Sequence, residues 1–127
     1  MSEAGSSPRV LLVEDEFLIS AMVADVLSER GCEVHVATSA KEALEHLTRG
    51  APCDVLFTDI NLPGDVDGAA LAQLARQLRP GLPVIYASGL ITGIEQLDAV
   101  EGATFVPKPY DPNKICALLQ QFAAQQR

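Results

Sequence analysis

The chemistry in this sequence is concentrated in a few polar side chains that directly follow short apolar runs. Two acids follow the first run, one acid the third, a serine the fourth and a lysine the fifth: Glu14, Asp15, Asp59, Ser88 and Lys108. Carboxylates brought together in a partly buried site repel one another, and a divalent cation relieves the repulsion. Oxygen ligands without a neighbouring His or Cys favour Mg²⁺, or the similar Mn²⁺, over zinc. The sequence therefore predicts an acidic site for a hard cation.

A lysine and a hydroxyl beside such acids suit the transfer of a phosphoryl group. Mg²⁺ commonly bridges to phosphate oxygens, Lys108 supplies a mobile positive charge, and Ser88 supplies a hydroxyl donor. The nucleophile would be a carboxylate, and Asp59 is the candidate. Each residue alone also fits a plainer role at a strand end, and Glu16 is interpreted only as a helix-start acid that suits the helix dipole. The combination is what indicates phosphoryl chemistry.

Apolar runs that alternate with helical patterns position these residues. The continuous apolar run before Glu14 is typical of a strand covered on both faces. Five strands are predicted, each followed by a helix, at 9–13, 33–37, 53–58, 83–87 and 103–106. This alternation favours a (βα)5 α/β fold, with a doubly wound parallel sheet and helices on both faces. Such sheets bind ligands outside the carboxyl ends of their strands, where the five polar residues fall.

Capping signals mark several helix starts. Ser39 followed by Glu42 matches a capping box. Asp67 is predicted to cap the third helix, and Asp111-Pro112 matches an N-cap with proline at the first helical position. Isoleucine, leucine and valine at helical spacing in 91–100 predict a short fourth helix before the fifth strand.

Length, charge and cysteine content limit the function. The chain has 127 residues, a formal net charge of −8 and a pI of about 4.5. One domain is predicted over 9–127, after a flexible tail at 1–8. The acidic balance argues against direct binding of nucleic acid or of an anionic membrane. No apolar stretch could span a bilayer, no secretory signal is recognised and no cysteines form a CxxC pair, so a cytoplasmic protein with reduced thiols is predicted.

Five short motifs, taken in order, resemble the receiver domain of two-component response regulators. They are Val10–Glu16 (VLLVEDE), Thr58–Pro63 (TDINLP), Asp67–Gly68, Ala87–Gly89 and Lys108–Tyr110. The resemblance extends from Arg9 to about Ala123, and the order and spacing of the motifs make it specific. It implies a flavodoxin-like strand order 2-1-3-4-5 and a stand-alone, single-domain protein of a phosphorelay.

The resemblance also implies a role for each acid. Asp59 would be the phosphoacceptor, phosphorylated by a histidine kinase or a histidine phosphotransfer protein. Asp15 would bind Mg²⁺ directly, Glu14 would act through a water molecule, and the backbone carbonyl of Asn61 would complete the protein ligands. The expected protein is a switch and not an enzyme, with self-phosphorylation from a donor and slow autodephosphorylation at most.

The remaining matched positions connect this site to an output surface. Ser88 matches the switch hydroxyl that turns toward the phosphoryl group, and Lys108 matches the lysine that pairs with it. Phe105 matches the aromatic switch position, where it lacks the hydroxyl of the more frequent tyrosine. The fourth predicted helix, the fifth strand and the last helix are expected to change as a partner surface. Output is therefore expected through an unknown downstream protein.

Other functions use related chemistry or topology. A phosphatase that forms a phosphoaspartate needs an Asp-x-Asp pair, whereas this chain continues as Asp59-Ile60-Asn61. A flavin or nucleotide carrier needs a neutral phosphate loop where Glu14-Asp15-Glu16 would repel phosphate. The chain could also be the receiver fragment of a larger regulator or hybrid kinase, since no effector domain follows the last helix. His35 and His46 are interpreted as surface residues of a strand and a helix, not as phosphotransfer histidines.

Overall fold

A five-stranded parallel sheet forms the centre of the molecule. The computed structural model describes residues 7–89, 99–108 and 110–125. The strands are β1 (Arg9–Val13), β2 (Glu33–Ala37), β3 (Val55–Asp59), β4 (Val84–Ser88) and β5 (Thr104–Pro107). They lie in the order β2-β1-β3-β4-β5, and all four neighbouring pairs are parallel. The predicted fold class and strand order are confirmed.

Helices cover both faces of this sheet. They are α1 (Phe17–Glu29), α2 (Ala40–Thr48), α3 (Gly68–Leu78) and α4 (Pro112–Gln125). The core of one face joins the sheet to α1 and α4, and the core of the other joins it to α2 and α3. The helix predicted in 91–100 falls almost wholly outside the described residues. None of the helices in the described ranges is long and apolar enough to cross a bilayer.

Strands β3 and β4 explain the continuous apolar runs of the sequence. Every residue of β3 and β4 is buried, because helices cover both faces of a parallel sheet. Phe57 packs in the core under α1 and α4, whereas Tyr86 packs in the core under α2 and α3. Asp59 and Ser88 are therefore the last residues of two buried strands, which place them at the carboxyl edge of the sheet.

The predicted helix caps at Ser39, Asp67 and Asp111 are confirmed. Each side chain accepts a hydrogen bond from a backbone N–H two or three residues later, which satisfies a donor that the helix leaves free. The capping box at α2 differs in one bond, since the Glu42 carboxylate accepts from the N–H of Thr38 at 2.7 Å.

Strand register brings the polar residues to one edge. Asp59 pairs with Ala87 across β3 and β4, and Ala87 pairs with Val106 across β4 and β5. On the other side of β3, Thr58 pairs with Val13, the last residue of β1. The residues that follow β1 and β5 consequently emerge on either side of Asp59, at the point where the strand order reverses around β1 and β3.

Candidate functional site

Asp59 lies at the centre of a cluster at the carboxyl edge of the sheet. Its side chain is nearly buried, with 8% of the residue exposed. One carboxylate oxygen, Oδ2, accepts a hydrogen bond from Lys108 Nζ at 2.6 Å, and Oδ1 accepts one from the backbone N–H of Asn61 at 3.1 Å. The carboxylate is thus held by a charged donor and a backbone donor.

Lys108 connects the acids of β1 and β3 from the end of β5. Its Nζ lies 3.6 Å from Glu14 Oε1 as well as 2.6 Å from Asp59 Oδ2. Its backbone N–H donates to the Ser88 carbonyl at 2.8 Å, which extends the pairing of β4 and β5 to the site. Burial opposes the charge on this lysine, but the Asp59 and Glu14 carboxylates outweigh it and raise the pKa of the ammonium.

Glu14 is the most buried acid of the cluster, with 2% of the residue exposed. Its Oε2 accepts a hydrogen bond from the backbone N–H of Glu16 at 3.1 Å. Burial raises the pKa of Glu14, and the repulsion from Asp59 and Asp15 adds to it, whereas the Glu16 N–H and Lys108 lower it. The environment of Glu14 therefore destabilises its ionised form.

The acids of this cluster fit a hard divalent cation. Glu14, Asp15 and Asp59 each offer an oxygen, and the three oxygens lie within 4.8 Å of one another. Lys108 balances only part of their charge, and Asp15 is exposed at the rim, where a cation could reach it. An all-oxygen donor set of this kind suits Mg²⁺ or Mn²⁺. The three acids predicted from sequence are brought together, with Asn61 beside them.

Ser88 and Phe105 take different positions relative to this cluster. Ser88 is buried at the end of β4 and reaches the site through the bond of its carbonyl to Lys108. Phe105 lies in the core under α2 and α3, where its ring is 5.2 Å from that of Tyr86. The Tyr86 hydroxyl also accepts a hydrogen bond from the backbone N–H of Val100 at 3.2 Å. The predicted aromatic position is thus part of the packing between β4 and β5.

Gly68 supports the site in a way that sequence reasoning did not assign. Its N–H donates to the Ile60 carbonyl at 2.7 Å. A Cβ at this position would lie 2.0 Å from the Asp59 carbonyl oxygen and 2.8 Å from Ile60 Cα. Only glycine lets the start of α3 approach the backbone of Asp59 so closely. The sequence did contain a signal for this role. Gly68 directly follows the helix N-cap Asp67, at a position where most other residues would favour the helix more.

Tyr110 is a second residue whose role was not assigned. Its ring lies 5.3 Å from that of Phe57, two residues before Asp59. Burial raises the pKa of Tyr110 to about 12, and the charges of Glu14 and Asp59 add to the effect. Its phenol therefore lies within the electric field of the acid cluster and stays protonated.

Replacing Glu14 with glutamine is expected to stabilise the metal-free protein by about 0.5–2 kcal/mol, a range typical of relieving a strained functional site. The folded-state pKa of Glu14 is raised above its ordinary value of 4.5. The folding stability that Glu14 contributes is therefore full below that value and is lost as pH rises through the raised pKa. Urea unfolding in EDTA measures the free energy of unfolding between pH 4 and 8. As pH rises, that free energy should fall less for Glu14→Gln than for the wild type. Equal pH dependence of the two proteins would contradict this account of the acid.

Known proteins with similar sequence and structure point to one family. A family model described as the response regulator receiver domain matches residues 10–120. The sensor kinase CckA of Brucella abortus (strain 2308) is 30% identical over 128 residues, which cover 98% of this chain and 13% of that protein. The transcriptional regulatory protein CreB of Escherichia coli (strain K12) is 33% identical over 110 residues, 85% of this chain and 47% of that protein. The chain spans less than half the length of these two curated relatives.

A solved structure extends the comparison to the whole fold. The crystal structure of a response regulator receiver protein from Sinorhizobium medicae WSM419 matches with a TM-score of 0.86 and 26% identity, covering 95% of this chain and 98% of that one. The family model covers residues 10–120 of the 127 residues. Sequence and fold agree, and this chain belongs to the receiver domains of two-component response regulators.

Proposed function

We propose that this receiver domain is a phosphorylation switch whose phosphoacceptor is Asp59 and whose cofactor is Mg²⁺. The observation that carries the proposal is the 2.6 Å bond from Lys108 to Asp59 within a cluster of three acids. That arrangement pairs a nearly buried carboxylate with a mobile cation and leaves two further acids for a metal ion. These residues would bind a phosphoryl group on Asp59 more strongly than they bind the unmodified Asp59 carboxylate.

The phosphoryl group would come from a phosphohistidine of a partner kinase or phosphotransfer protein. An Asp59 carboxylate oxygen attacks phosphorus, the P–N bond breaks, and its electron pair returns to the histidine ring nitrogen. The product is an acyl phosphate on Asp59. Lys108 then shifts from the carboxylate to the phosphoryl oxygens, and the Ser88 hydroxyl donates to another of them.

The acids at the rim would hold the cation for this transfer. Asp15, Asp59 and the backbone carbonyl of Asn61 are the direct ligands in the proposal, and Glu14 acts through water. Bound Mg²⁺ would supply positive charge to the phosphoryl oxygens as the transfer proceeds. Lys108 and the backbone N–H of Asn61 orient the Asp59 carboxylate, and the contact of Lys108 with Glu14 at 3.6 Å keeps that acid near the transferred group.

Phosphorylation would be read out beside β5. The aspartyl phosphate would carry roughly −1.5 to −2 charges in place of the single charge of the carboxylate, a net gain of about −0.5 to −1. The first residue to respond is Lys108, whose backbone is bonded to Ser88. β5 and α4 border a surface groove of about 560 Å³, whose lining includes Val106, Tyr110 and Leu118. A downstream protein that binds on this side would detect the change as a shift between pre-existing conformations.

The start of α1 offers a docking surface for the phosphohistidine donor. Phe17 is 75% exposed and Leu18 80% exposed, and Met22 follows them on the same helix with more than half its surface exposed. Large apolar side chains grouped at a surface mark protein contacts more often than single ones do. They begin two residues after Asp15, so a donor that covers them would face the acid cluster.

Leu18→Ser is expected to slow phosphoryl transfer from a protein donor by about tenfold, since burying a leucine contributes about 1.5–3 kcal/mol. Transfer from acetyl phosphate should not change, because a small molecule needs no docking surface. The matched control is Leu78→Ser, which alters an exposed leucine of α3, 45% accessible, on the other face of the sheet. The measurement is the transfer rate from a phosphorylated kinase that labels the wild type. Equal slowing by both substitutions would remove α1 from the proposal.

Lys108→Met is expected to slow labelling by acetyl phosphate by about 10²-fold, the usual loss when one preorganised charge stabiliser is removed. It should also cost about 1–3 kcal/mol of stability, because Asp59 and Glu14 lose their charged partner. Lys114→Met is the matched control, since Lys114 is an exposed lysine of α4. Labelling rates and urea unfolding of the three proteins give both quantities. A wild-type labelling rate in Lys108→Met would show that this lysine has no part in the chemistry.

Intact mass spectrometry with acetyl phosphate tests the proposed function directly. With Mg²⁺ present, the wild type should gain the mass of one phosphoryl group, and hydroxylamine should remove it, as expected of an acyl phosphate. EDTA should suppress the gain. No gain in Mg²⁺ or Mn²⁺ overturns the proposal, whereas steady hydrolysis of small phosphate esters would support the phosphatase alternative.

A further inference from the structure

Lys108 is placed by β5, which lies at an edge of the sheet. This strand has four residues, whereas each of the other strands has five, and all four pair with β4. The first three residues of β5 are half-buried, whereas every residue of β4 is buried. Because the sheet holds an edge strand from one side only, the 2.6 Å contact of Lys108 with Asp59 depends on what fixes the two ends of β5.

A tight turn at 100–103, the β5 turn, leads into this strand. The N–H of Ala103 donates to the Val100 carbonyl at 3.3 Å. Gly102 has a φ of 77°, the left-handed conformation that a type II turn requires at its third residue. These features determine the shape of the β5 turn but not its place beside the sheet, which contacts with other elements must set.

Arg76, in the last turn of α3, makes such a contact. Its Nη2 donates to the Glu101 carbonyl at 2.9 Å, and its Nε donates to the Leu82 carbonyl at 2.6 Å. Leu82 lies two residues before β4, and Glu101 lies three residues before β5. One planar guanidinium therefore joins α3 to the backbone that precedes two neighbouring strands, through bonds strengthened by its charge.

Tyr86 holds the same turn from inside the core. Its hydroxyl accepts the hydrogen bond from the Val100 N–H at 3.2 Å, and the side chain is fully buried. The β5 turn is thus tied to β4 and α3, two elements that also build the acid cluster. β4 ends in Ser88, and α3 begins at Gly68, beside the Asp59 backbone.

We propose that Arg76 is a positioning residue for the phosphorylation of Asp59: it fixes the β5 turn and, through β5, holds Lys108 Nζ at the Asp59 carboxylate. The inference rests on the proposed function of Asp59. Only the four residues of β5 separate the turn from Lys108, and a displacement of about 1 Å in a catalytic group can slow a reaction by about 10²-fold. An arginine that only balanced the dipole of α3 would not act through Lys108.

Arg76→Met removes both bonds and should slow labelling by acetyl phosphate about tenfold, a moderate loss for a displaced charge stabiliser. Arg79→Met is the matched control, because Arg79 also bridges two backbone carbonyls, those of Leu47 at 3.1 Å and Ala51 at 2.7 Å, near the end of α2. Arg79→Met should be labelled at the wild-type rate. Wild-type labelling of Arg76→Met, or equal slowing in both variants, overturns the proposal.

The Lys108→Met background separates positioning from a general effect on the fold. If Arg76 acts through Lys108, Arg76→Met should cause no further slowing once that lysine is absent, since the two substitutions then remove one and the same contribution. Labelling of the double variant at the rate of Lys108→Met supports the proposal. A further tenfold loss in the double variant contradicts it.

Amide hydrogen exchange of the intact protein measures the same link without phosphorylation. The Lys108 N–H, which donates to the Ser88 carbonyl at 2.8 Å, should exchange about tenfold faster in Arg76→Met, as expected when a local contact is loosened. The Glu14 N–H, bonded to the Ala37 carbonyl at 3.1 Å, should be unchanged. Unchanged exchange at Lys108, or equal acceleration at Glu14, overturns the proposal.

Arg76→Lys takes the place of Arg76→Met if the methionine variant does not fold. Lysine keeps the charge but lacks the planar fork that spans both carbonyls, so the same changes in labelling and exchange are expected. Absence of labelling in the wild type would overturn the proposed function of Asp59. The exchange result would then still decide whether Arg76 positions Lys108.

Discussion

Asp59→Asn is expected to abolish acyl-phosphate formation, with a loss of about 10³-fold or more in labelling by acetyl phosphate. Asparagine keeps the shape of the side chain and its bond from the Asn61 N–H, but an amide oxygen is not a nucleophile toward phosphorus. The substitution also removes the charge that Lys108 contacts at 2.6 Å. The measurement is intact mass after incubation with Mg²⁺ and acetyl phosphate.

The matched control for Asp59→Asn is Asp65→Asn, which neutralises an exposed acid in the loop after β3. It changes the net charge by the same amount and leaves the acid cluster intact. Labelling of Asp65→Asn at the wild-type rate, with none in Asp59→Asn, assigns the acceptor. Persistent labelling of Asp59→Asn would place the phosphoryl group on another residue and contradict the proposed role of Asp59.

Gly68→Ala is expected to destabilise the protein by about 3 kcal/mol or more, since overpacking against backbone atoms cannot be relieved by a rotamer change. The added Cβ would lie 2.0 Å from the Asp59 carbonyl oxygen and 2.8 Å from Ile60 Cα. The helix start or the end of β3 must move, so labelling of Asp59 should also slow. Urea unfolding and acetyl phosphate labelling measure the two effects.

Gly89→Ala is the control for Gly68→Ala. Among the residues that the structure describes, none lies within 4 Å of a Cβ built on Gly89, and no left-handed backbone angle restricts that position. Its stability should stay within about 0.5 kcal/mol of the wild type, as for surface substitutions without a special role. A similar loss in both variants would mean that the close approach at Gly68 does not limit the packing of α3.

Local sequence patterns were sufficient to predict the strands, the fold class and the helix caps. Continuous apolar runs predicted β1, β3 and β4 because both faces of these strands are buried, and burial requires apolar side chains regardless of the partners. The caps at Ser39, Asp67 and Asp111 were predictable because a cap acts within three residues of its own position. The convergence of Glu14, Asp15 and Asp59 followed from the rule that parallel strands end at one edge.

Contacts between residues distant in sequence could not be obtained in this way. The bond from Lys108 to Asp59 joins positions 49 residues apart, and the approach of Gly68 to Asp59 depends on the path of the loop between them. The exposure of Leu18 also ran against its apolar character. In each case the outcome, a distance or an exposure, is set by strand register and helix packing, which local residue types do not encode.

The sequence alone determined that this chain is a doubly wound α/β domain with acids, a hydroxyl and a lysine at one edge of its sheet. Only the tertiary structure decided which oxygen Lys108 contacts, that glycine is required at position 68, and that His35 and His46 meet. The physical reason is that strands, helices and their buried faces follow from local hydrophobic periodicity, whereas a site depends on differences of an ångström between side chains. Those differences arise only when the sheet and its covering helices pack together.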